Sequence, residues 1–81
     1  MRKAQIKEFG IMDIYQEIAE LEAELRYARL TKAEHRGTVR RLHDLQRQLE
    51  IAEEEAADAG DVATADRHYD QWLRIESAVA L

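Results

Sequence analysis

Two runs of apolar residues follow an alternating three- and four-residue spacing, and that spacing limits what this chain can fold into more than any other feature. The first run is Ile11, Ile14, Ile18, Leu21, Leu25 and Ala28. The second is Leu42, Leu45, Leu49, Ala52, Ala56 and Ala59. A period near 3.5 residues keeps one stripe of an α-helix apolar and suits packing against a neighbouring helix, whereas a half-buried strand needs a period of two. No proline interrupts either run, and glycine occurs only at Gly10, Gly37 and Gly60. The expected fold class is all-α: an antiparallel helical hairpin or three-helix bundle with coiled-coil-like packing.

Local end signals divide the chain. Asp13 has the chemistry of an N-cap, with Gln16 three residues on. Thr31-Lys32-Ala33-Glu34 reads as a capping box that starts a second helix. Gly37-Thr38 is a competing break, and one unbroken helix through both sites is a third arrangement. Gly60 followed by Asp61 supplies a left-handed C-cap and then a new N-cap. After it come Val62, Ala65, Tyr69, Trp72, Ile75 and Val79, with Leu73 widening the apolar face. The expectation is a single domain over 1–81: an arm at 1–10 and helices at 12–30, 32–59 and 62–79. Ile6 and Phe9 fall off the first register, so they are assigned to the arm.

Charge selects between the early breaks. Residues 13–24 carry Asp13, Glu17, Glu20, Glu22 and Glu24 without a base. The next segment carries Lys32, Arg36, Arg40, Arg41 and Arg47, and an acidic block follows it: Glu50, Glu53, Glu54, Glu55, Asp58 and Asp61. A turn near Thr31 sets Glu17 and Glu20 against Arg40, Arg41 and Arg47. A turn at Gly37 sets acid against acid. Exposed pairs contribute only tenths of a kcal/mol each, but every pair favours the turn near Thr31.

Several chemistries lack the residues they need. The residues three before His35, His43 and His68 are Lys32, Arg40 and Ala65, so the Glu-x-x-His pattern of a carboxylate-bridged metal bundle is missing. Cysteine is absent, the one serine is Ser77, and the isolated glycines make no phosphate loop. No enzyme activity, metal, cofactor or small-molecule substrate is expected. The N-terminus has no apolar run behind its basic residues, and no segment is apolar enough to span a bilayer. No membrane association is expected, and a cytoplasmic location follows by default. A net charge of −5 disfavours nucleic acid, and no aromatic interleaves Arg36, Arg40 and Arg41 for base stacking.

The reading is a non-enzymatic helical protein–protein interaction module, an assembly adaptor or regulator, acting as a homo-oligomer or on a protein partner. A chain of 81 residues has a small core, which self-association would enlarge. The alternative is a small acidic inhibitor, of phage or mobile-element type, that occludes a partner's functional or nucleic-acid-binding surface. Candidate partner-binding residues are the off-seam apolar Phe9 and Ile51, the cluster Tyr69, Trp72 and Leu73, the acidic Glu53 and Glu54, and the basic Arg40 and Arg41. A homodimer is expected to place Phe9 and Ile51 at its contact.

Overall fold

Three helices account for nearly all of the chain: α1 (Arg2–Tyr27), α2 (Lys32–Asp58) and α3 (Val62–Val79). The structure, a computed structural model, describes the backbone of residues 2–81 and the side chains of residues 12–81. Among the described residues there is no strand. The molecule is an all-α three-helix bundle measuring 41 × 25 × 16 Å. A helix of α2's 27 residues is ~40 Å long at about 1.5 Å per residue, so α2 alone spans the long axis.

Each turn has a local cause. Thr31 sits in extended conformation (φ −68°, ψ 166°) and closes a full capping box. Its hydroxyl accepts from the Glu34 amide at 3.1 Å, and the Glu34 carboxylate accepts from the Thr31 amide at 2.9 Å. Two of the amides that a helix start leaves without partners are thereby satisfied. Gly37 lies inside α2, so the chain turns near Thr31. At the other end Gly60 adopts φ +79°, where a side chain would be strained. Asp61 then accepts from the Thr64 amide at 3.2 Å and opens α3.

The backbone of α1 is helical from Arg2. Asp13 is therefore inside a helix and does not cap one. Arg2, Lys3, Ala4, Gln5, Lys7 and Glu8 are good helix formers, so the helix extends past the point where a cap would have started it. The expectations for Ile6 and Phe9 fall on side chains outside the described residues. At its other end α1 stops at Tyr27, three residues before the expected boundary.

Ile18, Leu42, Leu45, Leu49, Ile75 and Ala78 form the fully buried core, with Ile14, Tyr15, Leu21, Leu25, Trp72 and Val79 packed around it. Burying each large aliphatic side chain is worth roughly 1.5–3 kcal/mol. Both heptad seams supply core residues, as their spacing required. The α1 seam is flanked by positions one residue after and one before its apolar members. Tyr15 and Glu22 reach α3 at His68 and Arg74, while Glu17 and Glu24 reach α2 at Arg41 and Thr38. The order of these pairs along the chain makes α1 parallel to α3 and antiparallel to α2. Trp72 to Glu50 and Gln46 to Glu76 make α2 and α3 antiparallel.

Candidate interaction surface

Helical spacing divides α3 into three faces. Ala65, His68, Ile75 and Ala78 are buried. Arg74 turns toward α1, where its guanidinium meets Glu22 at 2.7 Å. The third face carries Val62, Tyr69 and Leu73, exposed by 65%, 45% and 41%. Trp72 stands between this face and α2, half-buried against the core.

The aromatic pair is held in place. Tyr69 and Trp72 lie nearly parallel, with ring centroids 6.0 Å apart and 9° between their planes. The Trp72 indole N–H donates to Glu50 Oε2 at 2.8 Å. One turn further along the same groove, Gln46 Nε2 donates to Glu76 Oε2 at 2.9 Å. Carboxylates therefore stand on both sides of Trp72. Exposed Glu54, Asp66 and Asp70 lie on adjoining turns of α2 and α3. The base on this flank, by helical spacing, is Arg47, one turn from Glu50. Arg67 and Arg74 turn elsewhere: Arg67 donates to the Thr64 hydroxyl at 3.1 Å, and Arg74 is occupied by Glu22.

The candidate residues do not all converge. Tyr69, Trp72 and Leu73 form one patch, bordered on α2 by exposed Glu54. Glu53 is half-buried and is one of the charges acting on His68. Ile51 is 56% exposed but lies about 180° around α2 from the core-facing side, away from the patch. Arg41 is engaged within the chain. Its Nε and Nη2 donate to the Glu17 carboxylate at 2.6 and 2.9 Å, which lowers the Glu17 pKa below the ordinary carboxylate value. Arg40 is exposed and makes no ion pair among the described residues. Phe9 lies outside the described side chains.

Glu50, Gln46 and Glu76 are patch residues that the sequence reasoning missed. The signal was present, because each stands one residue from a core position (Leu49, Leu45, Ile75) and so borders the seam.

A second polar constellation lies inside the bundle. The Tyr15 hydroxyl and His68 Nδ1 hydrogen-bond across α1 and α3, with rings edge to face and centroids 5.8 Å apart. His68 is 5% exposed. Burial pushes its pKa down, aided by Arg67 and opposed by Glu53 and Asp61. Burial also raises the Tyr15 pKa. With the imidazole neutral and Nδ1 unprotonated, the hydroxyl is the donor. The pair joins α1 to α3.

Concave regions elsewhere are open to solvent. One at the α1–α2 turn is lined by Leu30, Thr31, Lys32, His35 and Arg36. Another, on α2, is lined by Ala33, Arg36, Gly37 and Arg40. Among the described residues no group of histidine and carboxylate side chains is placed to hold a metal ion, and no helix is long and apolar enough to cross a membrane. In comparisons with known proteins no family model matches the chain, nor does any curated protein or solved structure.

Proposed function

We propose that this protein is a non-enzymatic helical interaction module of the cytoplasm, an adaptor or regulator that docks a protein partner on the α2–α3 flank bearing Tyr69, Trp72 and Leu73. The observation that carries the reading is the stacked aromatic pair on the α2–α3 hairpin, with Tyr69 exposed and Trp72 half-buried. Tryptophan and tyrosine dominate the energetics of protein interfaces because they bury much area at little entropic cost. Here the Trp72 ring is already oriented by Glu50, so less ordering remains to be done on binding. Of the two forms such a module can take, assembly with a second copy is favoured by the exposed apolar residues on more than one face, Ile51 among them. Occlusion of a partner's basic surface is favoured by the carboxylates around Trp72.

Benzophenone photo-crosslinking in native lysate tests the assignment. A photoreactive side chain replacing Leu73 is expected to give a discrete adduct that disappears when Tyr69 and Trp72 are changed to alanine. The same group replacing Ile51 should not give that adduct. Equal labelling from both positions, or an adduct from position 73 that survives loss of both aromatics, overturns the docking surface.

A further inference from the structure

We infer that the occupant of the Tyr69–Trp72–Leu73 patch is a cationic amphipathic helix of a partner protein, a proposal that rests on the docking surface assigned above. Three features of the patch select that chemistry. Its apolar side chains lie along one helix, Val62, Tyr69 and Leu73 recurring at spacings of seven and four residues with exposed Asp66 on the same row between Val62 and Tyr69. A stripe of that period is met by a partner helix carrying the same period. Its border is acidic: Glu50 and Glu76 are held at the groove by Trp72 and Gln46, and Glu54, Asp66 and Asp70 stand outside them. Its aromatic faces lie nearly parallel and partly open to solvent, so they attract an arginine or lysine head by the cation–π effect. An acidic or neutral helix would meet the same apolar centre against like charge or without charge compensation. The cations of this chain's own α3 are turned toward α1 and Thr64, and Arg47 of α2 offsets only part of the charge of Glu50, Glu54, Glu76, Asp66 and Asp70, so the border keeps a net negative charge.

The design of the contact follows from these parts. Leucine or isoleucine side chains of the partner cover Leu73 and Val62, and its basic residues straddle Trp72 to reach Glu50 and Glu76. Charge then sets the association rate and discriminates against acidic helices, while the aromatic centre holds the complex.

Two synthetic peptides test this on the full chain. One is an amidated two-heptad helix of leucine and lysine. The other is its leucine–glutamate counterpart. Trp72 is the single tryptophan, so its emission reports occupancy of the patch directly, and calorimetry supplies the affinity. The expected result is that the lysine peptide binds and shifts Trp72 emission, while the glutamate peptide does not. Tyr69→Ala with Leu73→Ala should weaken binding by roughly tenfold or more, as for loss of an interface hot spot. Glu50→Gln with Glu76→Gln, which keeps hydrogen-bond acceptors but removes charge, should weaken it severalfold and flatten its salt dependence. Ile51→Ala, on another face, should leave the affinity unchanged. Circular dichroism of each variant separates lost binding from lost folding. Binding of neither peptide, or of both equally, overturns the cationic occupant but leaves the docking surface standing. Binding of the lysine peptide that is indifferent to Tyr69 and Leu73 overturns the surface itself. Sedimentation showing a dimer that the Tyr69 and Leu73 changes dissociate assigns the patch to a second copy and also overturns the proposal.

Discussion

Among the described residues, the α2–α3 hairpin and the docking of α1 onto it differ in their balance of apolar and polar contacts. Leu42, Leu45, Leu49, Ile75 and Ala78, all inaccessible to solvent, bind α2 to α3, and the turn between them is fixed by Gly60 and Asp61. Among the described residues α1 contributes Ile18 alone at that depth, with Ile14, Leu21 and Leu25 only partly covered. Much of its remaining attachment is polar: Tyr15 to His68, Glu17 to Arg41, and Glu22 to Arg74. Gln71 Oε1, between His68 and Arg74 on the α1-facing side of α3, is buried without a hydrogen-bond partner among the described residues. The lesson is that, among the described residues, the fully buried apolar area is concentrated in one unit, the α2–α3 hairpin, while polar links at the seam borders align the third helix on it. The proposed docking surface belongs to the first unit.

The largest expected effects come from removing one core side chain on each side of this division. Leu45→Ala should cost about 2–5 kcal/mol, as buried leucine truncations do, and lower hydrogen-exchange protection in all three helices. Ile18→Ala should cost somewhat less, nearer 2–3 kcal/mol. Its loss of protection should be concentrated in α1, leaving α2 and α3 core amides slow to exchange. Urea unfolding gives the energies and hydrogen exchange the distribution. Equal loss in α1 and α3 for Ile18→Ala would break the comparison and make the bundle one cooperative unit.

A smaller effect follows from His68. Its folded-state pKa lies below the unfolded value of about 6.5, so the unfolded chain binds the extra proton first. Stability is then fully present above pH ~6.5 and falls as the pH drops through the folded pKa. The urea midpoint should decline between pH 7.5 and pH 5.5, and His68→Gln should flatten that decline. Glu17 and Asp61 have lowered pKa values, so their losses come at more acidic pH, where they are separable. A wild-type midpoint that is level across this window, or a slope that His68→Gln leaves intact, would remove the Tyr15–His68 contact from the account of α1 docking.

The smallest effect is the ion pair between α1 and α2. A double-mutant cycle on Glu17→Lys and Arg41→Glu should give a coupling of ~0.5 kcal/mol, because both side chains are substantially solvated. The same cycle on Glu20 and Arg40 should give none, since Glu20 accepts from Gln16 and Arg40 is unpaired among the described residues. Coupling confined to the first pair would sharpen the claim that seam-border positions align α1.

Much of the local architecture was legible in the residues. Thr31 and Glu34 announce a helix start by their spacing, and Gly60-Asp61 announces a turn. Charge along the first two helices correctly favoured a turn near Thr31 over one at Gly37. Arg41 to Glu17 was among the pairs expected from that register, whereas Arg40, Arg47 and Glu20 were expected in it and do not form it. An i to i+1 step rotates a helix by about 100°, so Arg40 and Arg41 could not both face α1. Asp13 was misread because capping chemistry recurs inside helices whenever the preceding residues also favour the helix. Of the candidate site, the cluster of Tyr69, Trp72 and Leu73 was legible as apolar residues at helical spacing. Its acidic border was not, because Glu50 and Glu76 lie on different helices and meet only when α2 and α3 pack.

The sequence by itself determined that the chain is helical, where α2 and α3 begin, and which stripe of each helix is apolar. These properties depend on spacing and on contacts within about four residues, which are the same in any fold the helices adopt. Tertiary structure alone decided that Tyr15 meets His68, that Glu22 holds Arg74, that Glu50 orients Trp72, and that Ile51 lies apart from the aromatic patch. Those pairings depend on how each helix is rotated about its axis and shifted along it. Rotation and shift are settled by the shape of the shared core, where Ile18, Leu45, Leu49 and Ile75 must fill one volume together, and no local signal encodes that fit.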